Sequence, residues 1–382
     1  MRILLASTGY DISSGATRCL IELAVQLKRR GLQVLVVIPK HGNIENYLEE
    51  ESIPYFYVHE YHSWYTSEKH IKNKFFIKRL LNIKSLVQMI MLIKWKKIDV
   101  VHVNALTAYI AGWAGSICRV PVVWHIREFM EEDLNITFYN RDYAIKKLNK
   151  ATQMVAISKA IKDKWKKELS VPISVIYDGI PIQNYYVIRE NIPIEKIKII
   201  IYGRIVPPKG QLFFFQGIKN IISDIDKKIE CYWAGQIEDL TYFHEIQNFI
   251  EYNQLTDIVT YLGEVSNIKN VLENMDVVCV CSRQEGFGRV TVEAMLSGCC
   301  VLGADTGATK EIINDNSKGY LYEYGNIESF SEKLKLIIEN IEDVKQIAEN
   351  AQEYAMKTFS IENNVNKILE IYQKVLCVKK ND

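Results

Sequence analysis

The chain lacks any apolar run long enough to cross a bilayer. The segment Leu86-Val87-Gln88-Met89-Ile90-Met91-Leu92-Ile93 falls far short of the roughly 20 residues a spanning helix needs. It also lacks a basic n-region followed by an apolar h-region. Arg2-Ile3-Leu4-Leu5-Ala6 reads directly as a strand, so no secretory signal is recognised and a cytoplasmic protein is expected. Metal-type cysteine spacing is missing too. Of the eight cysteines, Cys231, Cys279, Cys281, Cys299 and Cys300 sit in or beside apolar runs, as small buried thiols do in a reducing compartment. Neither Cys279-x-Cys281 nor Cys299-Cys300 has zinc spacing, which argues against a metal site or a disulfide framework. There is no internal repeat and no low-complexity tract. The net charge is only +1, so no nucleic-acid partner is expected.

What is present is an ordinary globular composition, 48% hydrophobic and 24% charged, over 382 residues. That length exceeds what one core usually fills, so two domains are expected. Near neutrality conceals a polarity. Residues 1–180 carry 26 Lys+Arg against 17 Asp+Glu, and the remainder carries 21 against 29. The first half should therefore face an anionic surface or substrate. Its densest basic stretch, Lys69 to Lys97, interleaves Lys72, Lys74, Lys78, Arg79, Lys84, Lys94 and Lys96 with Phe75, Phe76, Ile77, Leu80, Leu81 and Trp95. Two readings stand side by side: a pair of surface helices with one face on the core, or contact with an anionic membrane at the inner face of the cell.

Strand-like apolar runs alternate with helix-like segments throughout, the pattern of an α/β protein with parallel sheets. Ile3 to Ala6, Val34 to Ile38, Val100 to Val103, Val122 to Trp124 and Met154 to Ile157 form one series, with helices from about Ala16 to Arg30 and Ala108 to Arg119. A second series runs through Ile197 to Tyr202, Glu230 to Ala234, Val259 to Leu262, Val277 to Val280 and Cys300 to Ala304. Each resembles a Rossmann-like, doubly wound domain. Gly179, Pro181 and Pro193 place the linker near Asp178 to Pro193. The expected domains are 1–184 and 185–358, followed by a terminal helical segment at 359–382. In doubly wound sheets ligands bind beyond the carboxyl ends of the strands, so the loops after each strand hold the candidate chemistry.

One such loop stands out. Between Cys281 and Gly298, Glu285 and Glu293 lie eight positions apart across Gly286-Phe287-Gly288, the first on a loop and the second on the helix that Val290, Val292, Ala294 and Leu296 imply. Gly286 and Gly288 permit close backbone approach to a ligand, and the helix N-terminus suits a phosphate. After another strand, Gly203-Arg204-Ile205-Val206-Pro207-Pro208-Lys209-Gly210 presents two cations on a turn stiffened by two prolines; taken alone it reads as a solvated basic turn, and beside Glu285 and Glu293 as a place for phosphate. Asp224-Ile225-Asp226 has the spacing of a metal-binding pair, but its place after a helix and before Lys227-Lys228 reads as a surface turn. With two cations at hand no metal is required.

The two carboxylates with their Gly-Phe-Gly resemble the E-x7-E signature of retaining family 4 glycosyltransferases of the GT-B fold. The resemblance continues through Val301-Leu302-Gly303-Ala304-Asp305-Thr306-Gly307-Ala308-Thr309-Lys310-Glu311, where Ala308 replaces the family's second glycine, and through the Gly-Arg…Lys-Gly loop at 203–210. It implies two facing Rossmann-like domains with a cleft between them and a last helix crossing back to the first. It implies a donor site of Gly15, Arg204, Lys209, Glu285, Gly286, Phe287, Gly288, Val290 and Glu293, and a catalytic set of Glu285, His125, Arg204 and Lys209, without metal or other cofactor. His125, in Val123-Trp124-His125-Ile126-Arg127-Glu128, matches the family's histidine that meets the donor sugar. Arg127 and Glu128 are open to the acceptor or to one another. The first loop, Ser7 to Thr17, keeps only Gly15 of the usual glycine pair, and its helix would face the pyrophosphate; Ser158 belongs to a landmark that reads as mainly architectural while bordering the cleft. The implied activity moves a sugar from a nucleotide diphosphate, a UDP sugar before others, to a sugar or lipid-linked acceptor in capsule or cell-wall synthesis. A nucleotide-sugar epimerase on the same architecture and a non-catalytic partner subunit are the alternatives.

Overall fold

The computed structural model describes residues 1–12, 14–61, 63–67, 75–189 and 195–381. The chain divides into two compact units, Met1–Gly179 with Ile361–Asp382, and Ile180–Ser360.

The first unit contains β1 (Arg2–Ala6), β2 (Gln33–Ile38), β3 (Tyr55–Tyr57), β4 (Tyr65–Ser67), β5 (Val100–Val103), β6 (Val122–Ile126), β7 (Ile136–Phe138), β8 (Gln153–Ala156) and β9 (Ile173–Val175). Seven of them form a parallel sheet in the order β3-β2-β1-β5-β6-β8-β9, while β4 and β7 pair antiparallel. β5 and β6 are buried along their whole length, which explains apolar runs in place of strict alternation. The helix Ile361–Asn381, last in sequence, belongs to this unit. Ile361, Val365, Ile368, Tyr372 and Val375 recur at helical spacing and enter the same core as Leu20, Leu23 and Leu27 of the helix Gly15–Arg29.

The second unit carries β10 (Ile197–Tyr202), β11 (Ile229–Ala234), β12 (Val259–Tyr261), β13 (Val277–Val280), β14 (Cys300–Ala304) and β15 (Tyr320–Tyr322), a parallel sheet in the order β12-β11-β10-β13-β14-β15. Its core is aromatic, with Phe214, Phe215, Trp233, Phe330 and Tyr322 buried together. Burying each such side chain contributes on the order of 1.5–3 kcal/mol. Both units are thus Rossmann-like α/β sheets whose strand order reverses, beside β1 in the first and beside β10 in the second.

Three differences from the sequence reading have local causes. The short strands β3, β4, β7, β9 and β15 have three residues each, too few to show a period. The expected pair of basic helices is one helix, Phe75–Trp95, among the described residues; Lys69, Lys72 and Lys74 lie outside them. The units part at Gly179/Ile180 and Ser360/Ile361, earlier than the expected 184 and later than 358. Ile180 N–H donates to the Phe359 carbonyl at 2.8 Å. Arg189 then pins the following segment to the second unit by donating to the carbonyls of Leu272, Glu273, Met275 and Ser297. Of the expected linker, residues 190–193 lie outside the described part.

Candidate functional site

In the second unit the order reversal lies between β10 and β13, and the loops leaving their carboxyl ends are residues 203–210 and 281–288. These are the two loops that carry Arg204, Lys209 and Glu285. Several contacts hold them together. Arg283 N–H donates to the Pro208 carbonyl at 2.8 Å, and Gly210, at φ +74°, packs so tightly that a Cβ would stand 2.4 Å from the Cys281 carbonyl oxygen. From the next strand end, Gly307 at φ +51° leaves no room either: its Cβ would lie 2.6 Å from the Glu285 carbonyl oxygen. Ala308 N–H donates to that same carbonyl at 3.0 Å. Glu285 is therefore fixed from two sides.

Its carboxylate accepts a hydrogen bond from Lys209 Nζ at 2.5 Å, the two side chains being 14% and 24% exposed. Burial pushes the Glu285 carboxyl upward, but the charge and hydrogen bond of Lys209, with a bond from Ser282 and the charge of Arg204, outweigh it and hold the group below the usual carboxylate value. Arg204 is half exposed and pairs with Glu238 at 2.9 Å. Glu293, on the helix Arg289–Leu296, is buried; it accepts from Arg289 Nε at 3.2 Å and from the Tyr202 hydroxyl at 3.4 Å. Tyr202, pushed well above its ordinary value by burial and then by Glu293, stays a neutral donor. Gly288 and Val290 form the start of that helix, and the Val290 carbonyl accepts from Tyr202 at 3.2 Å. Gly286 lies between Glu285 and Phe287, whose ring is buried against Phe359; Phe287 anchors the loop rather than presenting its ring to a ligand.

The first unit corrects several expectations. His125 is not beyond a strand but the fourth residue of β6, and it is 1% exposed. Its Nδ1 lies 3.3 Å from His102 Nε2 on β5, and His102 Nδ1 lies 2.7 Å from the Tyr372 hydroxyl on the helix Ile361–Asn381. Both rings are held neutral, His102 pushed down to about 3 and His125 well below its ordinary value, by burial first and then by the charge of Arg127. Arg127 and Glu128 do not pair with each other's side chains. Arg127 forms a buried ion pair with Asp178 at 2.6 Å and donates to Asn104 at 3.0 Å. Glu128 instead accepts from the backbone N–H groups of Leu106, Thr107 and Arg127, and burial pushes its carboxyl up to about 7. Gly15 opens its helix as expected. Ser158 is fully buried and caps the helix Lys159–Trp165 by accepting from Ile161 N–H, so it serves the fold.

A cavity of about 210 Å³ opens in this unit, walled by Trp64, Tyr109, Trp113 and Tyr143, with Arg79 and Asn82 at its side. The sequence reading missed it, as it missed His102, Tyr372 and Glu238. Only His102, a histidine inside an apolar strand run, offered a local signal. Among the described residues no group of three or more His, Cys, Asp or Glu side chains is arranged to hold a metal.

Residues 187–354 match the family described as Glycosyl transferases group 1, and residues 13–184 match Glycosyltransferase Family 4. Among curated proteins, an uncharacterized glycosyltransferase of Methanocaldococcus jannaschii is 29% identical over 225 residues, 58% of this chain and 60% of its own length. The UDP-Gal:alpha-D-GlcNAc-diphosphoundecaprenol alpha-1,3-galactosyltransferase of Escherichia coli is 24% identical over 322 residues, 78% of this chain and 80% of its own. Thus the chain spans about three fifths of the first relative and four fifths of the second. The crystal structure of Anabaena HepE in complex with UDP and glucose shares the fold at a TM-score of 0.78, with 22% identity, over 98% of this chain and 100% of that one.

The charge balance at Glu285 is directly measurable. Its depressed carboxyl contributes stability that is present above the ordinary value of 4.5 and lost as pH falls through the lower folded value. In a ¹³C carboxyl titration the wild-type midpoint is expected below 4.5. Lys209→Met leaves only the Ser282 bond and the Arg204 charge against burial, so the midpoint should rise, and the stability that the ionised carboxylate contributes at neutral pH should fall with it. An unchanged midpoint in the variant would mean that Lys209 is not the controlling partner.

Proposed function

The chain belongs to the family 4 type of GT-B glycosyltransferases, and from that membership we propose that it transfers a sugar, with retention at the anomeric carbon, from a nucleotide diphosphate to an acceptor bound by the first unit. The observation that carries the reading is the Lys209–Glu285 pair at 2.5 Å, set between the two loops where the second sheet reverses its order. A cation and a carboxylate side by side match the two ends of one donor. Arg204 and Lys209 take the diphosphate, Glu285 takes hydroxyls of the sugar and offsets positive charge at the anomeric carbon, and Glu293 takes the ribose hydroxyls. The first turns of the helices Arg289–Leu296 and Gly15–Arg29, the latter opened by Gly15, add partial positive charge for the phosphates. His125 meets a sugar hydroxyl.

As the anomeric carbon–oxygen bond breaks, its electron pair moves to the diphosphate, where the two cations stabilise it. The acceptor oxygen attacks from the face being vacated. Its proton passes to the departing phosphate oxygen, so no separate base is required. UDP is the expected nucleotide and a lipid-linked or polysaccharide precursor the expected acceptor, in keeping with the UDP-Gal and diphosphoundecaprenol named for the Escherichia coli relative. The aromatic cavity of the first unit supports an acceptor with an apolar portion. Contact with an anionic membrane fits the helix Phe75–Trp95, which exposes Ile77, Leu80, Val87, Met91 and Trp95 beside Lys84 and Lys94. No helix among the described residues is long and apolar enough to cross a membrane.

Turnover should persist in excess EDTA on a panel of UDP-glucose, UDP-galactose and UDP-N-acetylglucosamine, since side-chain cations and helix N-termini hold the phosphates. Loss on chelation, restored by Mg²⁺ or Mn²⁺, would count against this, and an epimerised donor without transfer would favour the epimerase.

The two ends of the donor should respond differently to substitution. Arg204→Ala should lower kcat by roughly 10²-fold, the scale for losing one preorganised stabiliser, and weaken UDP binding. Glu285→Gln should depress turnover while leaving UDP affinity nearly unchanged, because UDP carries no sugar. Calorimetry with UDP, paired with turnover on the intact donor, tests both. Full turnover in Glu285→Gln, or wild-type UDP affinity in Arg204→Ala, would refute the assignment.

Lys84→Glu with Lys94→Glu should weaken sedimentation with phosphatidylserine vesicles by roughly tenfold or more, at about 1 kcal/mol for each surface lysine. Unchanged binding would leave an ordinary surface helix.

A further inference from the structure

The cavity of about 210 Å³ in the first unit is walled by rings from three places: Trp64 just ahead of β4, Tyr109 and Trp113 at the helix Ile110–Ile117, and Tyr143 on the helix Arg141–Leu148. Trp64 stacks on Tyr109 with centroids 4.8 Å apart, and Trp113 stands edge-on to them at 5.3 Å and 4.7 Å. The buried polar groups of the wall are already engaged with protein. Asn82 Nδ2 donates to the Tyr61 carbonyl at 2.8 Å and to Ser63 Oγ at 2.9 Å, the Ser63 and Tyr109 hydroxyls share a bond of 2.8 Å, and Trp64 Nε1–H donates to the Leu106 carbonyl at 3.1 Å. A sugar ring entering here would bury several hydroxyls, each needing a partner that this wall does not supply. Hydrocarbon needs none. An apolar cavity of about 150 Å³ holds a benzene ring, so this one has room for a segment of roughly that bulk or somewhat more.

The way in is marked by two lining residues that are also exposed, Arg79 and Ile83, the latter at 55%. Ile83 follows Leu80 by three positions and precedes Val87 by four, so it shares their face of the helix Phe75–Trp95, and both of those are exposed as well. The chamber therefore opens beside an apolar strip on the protein surface. Positive charge stands at the same place. The Arg79 guanidinium lies over the Tyr143 ring at 5.3 Å, and Lys147 Nζ lies over that ring at 5.3 Å and over Trp113 at 4.8 Å. Neither cation is in an ion pair among the described residues, in contrast to Arg204 and Lys209 of the second unit. A hydrocarbon chamber, an apolar strip leading to it and two unpaired cations together match an amphiphile whose anionic group is joined directly to its chain.

We propose that this cavity takes the isoprene segment next to the phosphate of a prenyl phosphate lipid, with Arg79 and Lys147 on the phosphate and the rest of the chain along the exposed face of the helix Phe75–Trp95. The choice of a prenyl chain rests on the function proposed above, and on branching, which puts more carbon into a chamber of this size and so more contacts on its rings. The site itself rests on the geometry of the first unit alone.

Farnesyl phosphate, kept below its critical micelle concentration, is the probe, read by calorimetry on the whole chain. It should bind saturably, farnesol more weakly, and inorganic phosphate not at all. Arg79→Gln should weaken farnesyl phosphate by roughly two- to fivefold, the scale for an exposed charge pair, and leave farnesol unchanged. Ile83→Glu should weaken both, since it sets a carboxylate at the opening; both substitutions fall at exposed positions and leave the buried core intact. A diazirine-bearing farnesyl phosphate should label the wall at Trp64, Tyr109 or Trp113. Absence of saturable binding, binding that neither variant alters, or labelling confined to Ile77, Val87 and Met91 overturns the site. Equally tight, competing binding of dioctanoyl phosphatidylserine would make it a place for bulk membrane lipid and overturn the prenyl assignment. Capture of the probe in the cavity by a protein that transfers sugar from none of the UDP donors would refute the proposed function and leave the site standing, whereas sugar transfer without capture overturns the site alone.

Discussion

A carboxylate held out of water has to be matched by positive charge, and the second unit is arranged around that requirement at Glu285. Lys209 reaches it only because Gly210 turns the chain against the Cys281 carbonyl, and Arg283 N–H ties the two loops at Pro208. The resulting pair is a self-neutralised resting arrangement. Under the function proposed above, a diphosphate taking Lys209 would withdraw part of the charge balancing Glu285, and the largely buried carboxylate would then need other partners, for which sugar hydroxyls are chemically suited. Arg204 has a looser version of the same arrangement with Glu238, both exposed, where water already screens the pair and exchange for phosphate costs little.

The first unit meets burial differently. At the carboxyl ends of β5 and β6, His102, Asn104, His125, Arg127, Glu128 and Asp178 are all buried. Arg127 is compensated by Asp178 and Asn104, and Glu128 by three backbone N–H groups of which two belong to residues 106 and 107. These bonds immobilise the loop after β5, since the Leu106 carbonyl also accepts from Trp64 and the Ala105 carbonyl from Trp124. Against that background His125 Nε2, like Thr17 Oγ1 and Trp113 Nε1 elsewhere in the unit, is buried without a hydrogen-bond partner among the described residues.

What could be read from the sequence follows from how local each cause is. Glu285, Arg204 and Lys209 lie on loops directly after strands whose apolar runs are unmistakable, and Glu293 on the helix that follows one of those loops, so their place in the fold was legible. Pairings across long separations were not. Arg127 looked open to an acceptor or to Glu128 beside it, and nothing in the intervening residues reveals that the end of β6 meets Asp178. His102 and Tyr372 are 270 positions apart, and only the docking of the last helix brings them together. Over the described part of the basic stretch there is one helix, Phe75–Trp95, where one of the two readings had a pair: lysines and apolar residues spaced for one long helix are equally consistent with two short ones.

The positions where this chain departs from its family's glycine pattern show which glycines the backbone requires. Ser14 replaces one glycine of the first loop and sits at φ −70° and ψ 125°, a conformation open to any residue. Ala308 replaces the other, and it lies within the helix Gly307–Ile312, buried, where its methyl group adds apolar contact and its N–H still reaches Glu285. Gly210 and Gly307 are retained. Both have left-handed φ, and at both a Cβ would overlap a carbonyl oxygen of the loop that carries Glu285. A side chain at either would push that loop away, and with it the carboxylate from its lysine. The two departures therefore fall where the backbone does not require glycine, whereas Gly210 and Gly307 hold the loop that carries Glu285 in place.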